Sequence, residues 1–372
     1  MKNIFKRLVS EFEVIDRLSL WTILFLLGFG LIQIYSSSYI LGADLKSDGL
    51  FFVKKQLLFT AIGILIILFL VKLKTSVLIQ ISYYFYFVIL VGLGLTLIPG
   101  IGVKVGGAHR WLSLPMGFRI EPSEFIKVLI LFPFSFWLLK VQEERFSSER
   151  NLARLFIMLL PFGLFLFQPD FGSFVLLSWV ILILLFTFFR PLWPVLATLS
   201  VFVIAATLLL RAEPYRLKRL QAFMDPWADP KGSGFQIIQS LLSFRSGGLF
   251  GRGVGEGQGK LYFLPEAHTD FTMAVLGEEW GFFGFAIFML LVGTLIIRGL
   301  QNTLSQMDEQ RKIIAFGLVT LFSYSVFLNV CVVLGLLPTK GLSLPFMSYG
   351  GSSLLATCML FGMLLNLSCK KN

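Results

Sequence analysis

The chain alternates between long apolar runs and short polar connections along its whole length. The segments 61–71 and 175–189, for example, are continuously or almost continuously apolar. A transmembrane helix needs about 20 mainly apolar residues, whereas a barrel strand shows alternating positions over roughly ten residues. The pattern therefore predicts an all-α polytopic membrane protein with about ten transmembrane helices.

The connections between the predicted helices are short, with one exception. The exception is 211–269, which separates the seventh helix from the eighth. We predict that 1–372 forms a single membrane domain and that 211–269 is a long extracytoplasmic loop within it. The predicted spans are 18–40, 54–73, 76–98, 122–141, 152–168, 172–189, 191–210, 271–298, 312–334 and 344–366.

Composition supports the membrane assignment and limits the kinds of partner. Hydrophobic residues make up 56% of the chain and charged residues 14%, with a mean hydropathy of +0.82. In a soluble domain about 25% of the residues are charged. The net charge of +11 is spread over the polar connections. This distribution indicates contact with anionic membrane lipids and orientation in the membrane, rather than nucleic-acid binding.

Lysine and arginine residues are distributed unequally between the two sides of the predicted bundle. An even number of spans puts both termini on one side, and the short connections on that side carry more basic residues than those opposite. Basic residues accumulate in cytoplasmic loops. We therefore predict a multi-pass protein of the cytoplasmic membrane with both termini in the cytoplasm and 211–269 outside.

The end of the long loop contains a dense set of ionisable side chains beside an apolar helix. Glu266, His268 and Asp270 alternate along the chain just before the eighth predicted span, and His268 is one of 2 histidines. A charged group at the edge of the hydrocarbon region is costly to retain, so this stretch is a candidate site. The structural alternatives are a histidine satisfied by a backbone carbonyl and a glutamate that caps the following helix.

A second polar cluster lies at the predicted start of the fourth helix. Arg110 and Trp111 precede the helix, and Pro122 suits its first turn. Glu124 and Lys127 have the i,i+3 spacing that puts two side chains on one helix face, where they can pair. A charge pair that enters the membrane indicates a functional site. The alternative is an ordinary capped helix start with an interfacial tryptophan.

Two further polar stretches carry weaker signals. At 168–171 a proline and an aspartate interrupt a pair of apolar helices, which favours a tight turn over a catalytic role. Within 211–269, Arg216 and Arg219 occur near aromatic residues, as in loops that lie near lipid phosphates. The glycine-rich run at 247–259 can cradle phosphate through its N–H groups, and a flexible loop is the alternative.

Several short motifs recur in a fixed order along the predicted spans. They are Gly107-Ala108-His109-Arg110-Trp111, Glu121-Pro122-Ser123-Glu124 with Lys127, Asp225-Pro226-Trp227, Leu264–Phe271, Gly277-Glu278-Glu279 and Ser348-Tyr349-Gly350-Gly351-Ser352-Ser353. In this order they resemble the SEDS family (shape, elongation, division and sporulation proteins) from the first predicted span to the tenth. Within that family, 265–268 and 338–341 are more similar to the FtsW and SpoVE members than to RodA.

This resemblance implies a peptidoglycan glycosyltransferase that polymerises lipid II into β-1,4-linked glycan at the outer face of the cytoplasmic membrane. It also implies a class B penicillin-binding protein as the transpeptidase partner, together with other division or elongation proteins. The family's essential aspartate corresponds to Asp270 and its functional tryptophan to Trp111. Its functional Glu–Lys pair corresponds to Glu124 and Lys127.

Glycosyl transfer from a pyrophosphate requires a base for the attacking hydroxyl and cationic stabilisation of the leaving group. Asp270 is the candidate base, with metal coordination as its rival role, and Glu266 and His268 are candidate supporting groups. A divalent metal cation, Mg²⁺ or Mn²⁺, is expected as cofactor. The further cations expected near the leaving group are Arg110, Lys127, Arg216 and Arg219.

Two other functions are compatible with this sequence. Ten helices with intramembrane charge also suit a lipid II flippase, but a transporter predicts inverted repeats, and no clear internal repeat is present. The third interpretation is a non-catalytic scaffold for division proteins. The polar groups gather on one predicted side of the membrane, which favours an enzyme at that surface.

Overall fold

The computed structural model describes residues 16–105, 108–113, 118–143, 148–189, 193–212, 214–259, 264–339 and 341–368. Most of the described chain is helical. The helices are α1 (Arg17–Lys46), α2 (Phe51–Lys72), α3 (Thr75–Leu95), α4 (Pro122–Leu129), α5 (Leu131–Glu143), α6 (Glu149–Phe167), α7 (Phe171–Phe188), α8 (Trp193–Ala212), α9 (Pro214–Met224), α10 (Phe235–Gly247), α11 (Thr272–Ser305), α12 (Glu309–Val333) and α13 (Gly351–Ser368).

Within these described ranges, 8 helices are long and apolar enough to cross a membrane. They are α1, α2, α3, α6, α7, α11, α12 and α13, and they coincide with predicted spans, which confirms the helical membrane fold. The predicted span 191–210 coincides with α8, of which Val195–Ile204 is a shorter apolar segment. The number of spans, about ten, and the extracytoplasmic position of the long loop stay predictions.

The fourth predicted span, 122–141, is divided at Ile130 into α4 and α5. Pro133 lies in the first turn of α5 and has no N–H to donate to the carbonyl of Leu129. On either side of this gap the helical bonding continues, because Ile130 N–H donates to Ile126 O at 3.0 Å. The proline therefore explains why one apolar run gives two shorter helices.

Helix α13 packs closely along α2 because small residues lie between them. A Cβ atom on Gly63 of α2 would lie 2.6 Å from Cys358 Sγ, and a Cβ atom on Gly362 of α13 would press on the α2 backbone. Small residues allow membrane helices to approach each other in this way. At the end of α13, Asn366 Nδ2 donates to Leu70 O at 2.8 Å, which fixes the helix against the end of α2.

A short antiparallel sheet lies between α3 and α4, where the prediction had no strands. Its strands are β1 (Gly102–Val105), β2 (Ala108–Ser113) and β3 (Arg119–Ile120), in the order β1-β2-β3. Val103 pairs with Trp111 across β1 and β2. These strands are too short for an alternating pattern to stand out in the sequence. The sheet matters for function because β2 carries Arg110 and Trp111.

The tenth predicted span, 344–366, begins too early. Helix α13 starts at Gly351, and 341–350 is irregular. Pro345 has no N–H for a helical ladder, and Tyr349 N–H donates to the carbonyl of His268 at 2.8 Å. Hydrogen bonds to the turn that carries His268 therefore replace helical bonds in this segment.

The predicted loop 211–269 contains α9, a 3-10 helix (Pro226–Ala228) and α10, rather than only flexible chain. Asp225 accepts a hydrogen bond from Trp227 N–H at 3.1 Å and so caps the 3-10 helix. Ser240 Oγ on α10 donates to Val333 O at 2.6 Å, at the end of α12. The loop therefore packs onto the helical bundle.

Helix α11 is bent at Gly281, where the backbone has φ 64° and ψ −162°. The glycine-rich run that follows α10 packs against this bend. Arg252 N–H donates to Glu278 O at 3.0 Å. The carboxylate of Glu278 accepts hydrogen bonds from the N–H groups of Gln258 and Gly259, both at 2.9 Å. The bend therefore holds the segment that leads to the candidate site.

We expect Gly281→Ala to lower the free energy of unfolding by about 1–3 kcal/mol or more, because an L-residue is strained at positive φ. The added Cβ atom would also lie 2.3 Å from Gly251 N. Thermal unfolding of the protein purified in detergent measures the effect. The matched control is Gly293→Ala in the same helix, where a Cβ atom meets nothing within 4 Å. Equal unfolding midpoints for the two variants would contradict this role of the bend.

Candidate active site

The side chains that the sequence singled out gather around one cavity of about 600 Å³. The sheet between α3 and α4, the turn before α11 and the segment 341–350 line it, together with residues of α1, α2, α4 and α13. The candidate residues that line the cavity are Arg110, Trp111, Glu124, Glu266, His268 and Asp270. Arg110 and Asp270 are 160 positions apart in the sequence, yet both line this cavity.

Asp270 is the last residue but one before α11, and its backbone is tied to the neighbouring segment. Asn329 Nδ2 on α12 donates to Asp270 O at 3.0 Å and to Leu342 O at 2.7 Å. Ser348 Oγ donates to Thr269 O. These bonds fix the aspartate opposite 341–350 before any substrate arrives, as a preorganised site requires.

The carboxyl group of Asp270 is held close to its point of half-ionisation at neutral pH. Burial and, less strongly, the charge of Glu266 raise its pKa to about 7, against the opposing effects of Arg219 and Arg110. A general base works best when its pKa is near the operating pH. Asp270 therefore has both the position and the proton affinity of a base.

Glu266 and His268 shape the turn that presents Asp270. Glu266 has φ 57°, and its carbonyl accepts the N–H groups of Thr269 and Phe271 at 3.1 and 3.2 Å. The ring of His268 lies between aromatic rings, 5.4 Å from Phe52 and 6.0 Å from Tyr349. Burial lowers the pKa of His268, against the charge of Glu266. The imidazole is therefore neutral at pH 7 and packs as an aromatic group.

Arg110 on β2 is paired with Asp170. Its Nη2 atom lies 3.3 Å from Asp170 Oδ1 and donates to Pro169 O at 3.4 Å. The same Asp170 oxygen accepts the N–H of Ser173 at 3.2 Å and so caps α7. The expected tight turn at 168–171 is present, and it also binds a cation of the cavity.

Glu124 and Lys127 form the ion pair that their spacing predicts, with Nζ and Oε1 2.6 Å apart and side-chain exposures of 18% and 7%. Glu124 lines the main cavity. Lys127 lines an adjoining cavity of about 40 Å³ that shares Glu124, Ser343 and Ser353 with the main one. The pair therefore sits directly beneath the candidate site.

The two remaining candidate cations lie on α9. Arg219 Nη1 donates to Thr339 O at 2.9 Å, which joins α9 to the start of the 341–350 region. Its charge acts on Asp270 by lowering the pKa of that carboxyl group. Arg216 is in the same helix, and its side chain lies outside the described residues.

The side chains at the cavity could bind a divalent cation such as Mg²⁺ only together with oxygen atoms of the substrate. Among the described residues, no group of three or more His, Cys, Asp or Glu side chains is arranged to hold a metal. Glu266 and Asp270 both line the cavity and interact through their charges. Mg²⁺ is commonly held by one or two carboxylates together with substrate phosphates and water, and these two residues fit that mode.

Several residues at the cavity were not among the sequence candidates. Glu121, Ser343 and Tyr349 line it, and Asn329 fixes the backbone of Asp270 from α12. An asparagine inside an apolar span is the one signal that the sequence offered, because a buried amide needs hydrogen-bond partners. The others come into place only through contacts between distant segments.

Comparison with known proteins gives a consistent result over almost the whole chain. The cell cycle protein family FtsW/RodA/SpoVE matches residues 17–372. The probable peptidoglycan glycosyltransferase FtsW of Trichlorobacter lovleyi is 40% identical over 354 residues, which are 95% of this chain and 93% of that protein. Stage V sporulation protein E of Bacillus subtilis is 36% identical over 354 residues, 93% of this chain and 94% of that protein.

Solved structures with the same fold include a complex described as a peptidoglycan synthase that coordinates polymerization and crosslinking. One chain of it superposes with a TM-score of 0.74 at 26% identity, covering 95% of this chain and 97% of that one. The rod shape determining protein RodA of Thermus thermophilus superposes with a TM-score of 0.68 at 22% identity, covering 96% and 98%. The likeness to RodA shows that the two chains share a fold.

Proposed function

The chain belongs to the FtsW/RodA/SpoVE family of cell cycle proteins, and we propose that it is a peptidoglycan glycosyltransferase that polymerises lipid II. Relatives that match over nearly their full length carry that activity in their names. The observation that carries the proposal is Asp270, a half-buried carboxyl group with a pKa of about 7 that lines a cavity of about 600 Å³. Arg110 and the Glu124–Lys127 pair stand at the same cavity.

In the proposed reaction Asp270 accepts the proton of a sugar hydroxyl as that oxygen attacks the anomeric carbon of the donor. The bond from this carbon to the pyrophosphate oxygen breaks, and undecaprenyl pyrophosphate leaves with the bonding electrons, so the configuration inverts. Arg110 and Lys127 provide positive charge near the departing group. Trp111 lines the cavity as an apolar wall for the sugar.

Glu266 and Asp270 are the residues that would hold a divalent cation, Mg²⁺ or Mn²⁺, which supplies charge neutralisation at the pyrophosphate. The positive charge of Arg219 favours the ionised form of Asp270. Arg216 on the same helix is a further cation of the proposed site.

The chain is an integral membrane protein with several apolar spans. We place it in the cytoplasmic membrane with both termini in the cytoplasm and the cavity outside, where its basic residues are best accommodated. A class B penicillin-binding protein is the proposed partner, supported by the structural likeness to a complex of coordinated polymerization and crosslinking. Membrane lipids and other division or elongation proteins complete the proposed setting.

The direct test uses purified protein in detergent with labelled lipid II and without a conventional glycosyltransferase domain. Glycan polymer is the expected product. Movement of lipid II across liposomes without polymer would instead support a flippase. If neither polymer nor transport occurs while division proteins still bind, the scaffold function is correct. The clustering of ionisable groups around one cavity supports the enzyme over both alternatives.

We expect the rate of polymerisation to rise with pH through about pH 7, because the ionised form of Asp270 is the base. Below that pH most of the enzyme carries a protonated carboxyl group, and kcat/KM is expected to fall about tenfold for each further pH unit. Initial rates measured at subsaturating lipid II give this profile. A rate that does not change between about pH 5.5 and 7.5 would exclude a base with the pKa of Asp270.

A further inference from the structure

Glu121 lies at the cavity beside two ion pairs, each of which joins another carboxylate to a cation. Glu121, Glu124 and Asp170 are close enough for their charges to interact. Lys127 is paired with Glu124 at 2.6 Å, and Arg110 is paired with Asp170 at 3.3 Å. In the part of the chain that the structure describes, Glu121 forms no ion pair. Because the two neighbouring cations are already paired with other carboxylates, the charges of Glu124 and Asp170 favour the protonated form of Glu121.

Glu121 is fixed in position and faces the substrate space. It is the residue before α4, and its N–H donates to Ser352 Oγ at 2.9 Å. Its Oε1 atom accepts a hydrogen bond from Ser123 Oγ at 3.1 Å. The side chain lines the same cavity as Asp270 and Trp111. The Oε1 atom is thus bonded to the protein, while the residue forms part of the cavity wall.

The surroundings of Glu121 favour its neutral form at pH 7. Burial and, less strongly, the charges of Glu124 and Asp170 raise its pKa to about 8, against the opposing charges of Lys127 and Arg110. The other titratable groups that line the cavity from the neighbouring elements are Lys46, Lys55, Arg119, Glu266, His268, Asp270 and Tyr349. A neutral carboxylic acid has an O–H donor, whereas a carboxylate only accepts hydrogen bonds.

We propose that Glu121 binds the pyrophosphate of lipid II as a neutral carboxylic acid that donates a hydrogen bond, and that its ionisation weakens substrate binding at alkaline pH. This inference rests on the proposed function of the cavity. A carboxylate at the same place would repel the anionic pyrophosphate and could donate no hydrogen bond to it. Glu121 therefore acts on substrate binding, whereas Asp270 acts on proton transfer.

The test compares Glu121→Gln with the wild-type protein over a pH series of polymerisation rates. Wild-type kcat/KM is expected to fall about fivefold between pH 8 and pH 9 as Glu121 ionises. The amide of glutamine donates a hydrogen bond at every pH, so Glu121→Gln is expected to change less than about twofold over that interval. An alkaline decrease that persists unchanged in Glu121→Gln overturns the proposal.

Glu121→Ala removes the donor without supplying another. We expect its KM for lipid II to rise about tenfold at pH 7 while kcat changes much less, because the lost interaction is a charge-assisted hydrogen bond. A fall in kcat with an unchanged KM overturns the assignment to binding. Should Glu121→Ala fail to fold, infrared difference spectra of Asp270→Asn and Asp270→Asn/Glu121→Gln protein at pH 7 decide the protonation state, because the band of the protonated Glu121 carboxyl group is expected only in the first; its absence there overturns the proposal.

A binding measurement separates this inference from the proposed function. Equilibrium binding of lipid II to Asp270→Asn protein, which carries Glu121 unchanged, is expected to weaken about fivefold from pH 8 to pH 9. The double variant Asp270→Asn/Glu121→Gln is expected to show no such change. If the wild type forms no polymer but binding keeps this pH dependence, the proposed function is wrong and Glu121 is still a ligand-binding acid. If binding is independent of pH in Asp270→Asn protein, the role of Glu121 is wrong.

Discussion

Replacement of Asp270 by asparagine is expected to slow lipid II polymerisation by at least about 100-fold, the usual contribution of a positioned general base. Asparagine is almost isosteric with aspartate, but it cannot accept the hydroxyl proton. The backbone bonds from Asn329 and Ser348 involve carbonyl groups, so they survive the substitution. Polymer length and yield from labelled lipid II, with purified protein in detergent, provide the measurement.

The stability of this variant shows whether lost activity means lost chemistry or lost folding. In the native protein the pKa of Asp270 is raised from 3.8 to about 7, so the native state binds more protons than the unfolded state between these values. Stability therefore falls as pH rises from about 4 to about 7, and the ionised carboxylate remains a cost above that range. Asp270→Asn removes this cost, so its unfolding midpoint at pH 8 is expected to equal or exceed that of the wild type.

Asp48→Asn is the matched control, since Asp48 is a half-exposed aspartate that pairs only with the exposed Lys54 among the described ion pairs. Its polymerisation rate is expected to equal that of the wild type. If Asp270→Asn forms glycan at a near wild-type rate, the central assignment is wrong. If its activity is lost together with a large drop in the unfolding midpoint at pH 8, the aspartate has a structural role that the geometry does not account for.

The features of the site that the sequence could predict are those between residues close together in the chain. Glu124 and Lys127 are three residues apart on one helix, and the pairing expected from that spacing is present at 2.6 Å. Pro122 occupies the first turn of α4, as its lack of an N–H group favours. Such features depend on backbone geometry within one or two turns, which the local residues determine.

Features that depend on distant segments were missed or displaced. Asp170 was interpreted as part of a turn, which is correct, but its pairing with Arg110 depends on a contact between α7 and β2. Hydropathy predicted that the last span includes 344–350. This segment is not helical in the structure, because its backbone hydrogen-bonds to the turn at His268 instead. The protonated state of Glu121 could not be predicted from the sequence, because it depends on the charges of Arg110, Lys127 and Asp170 that the fold places around it.

Replacement of Lys127 by alanine is expected to lower both stability and activity. Lys127 is 7% exposed and is the ion-pair partner of Glu124, so its loss leaves a carboxylate uncompensated beside Glu121 and Asp170. Breaking a buried pair in this way costs about 3–5 kcal/mol. We expect polymerisation to slow by about tenfold or more as well, because a cation near the pyrophosphate is lost. Thermal unfolding and initial rates measure the two effects.

Replacing the lysine of a second, more exposed i,i+3 ion pair shows how much of the loss of stability is due to burial. Lys140 pairs with Glu143 at 2.5 Å, with side-chain exposures of 33% and 63%, and Lys140→Ala is expected to cost less than about 1 kcal/mol. The double variant Glu124→Gln/Lys127→Met then separates charge balance from catalysis. It removes the uncompensated carboxylate, so stability is expected to recover, while polymerisation stays slow because no cation has been restored. Recovery of the rate along with the stability would reduce the Glu124–Lys127 pair to a structural role and leave Arg110 and Arg219 as the cations of the site.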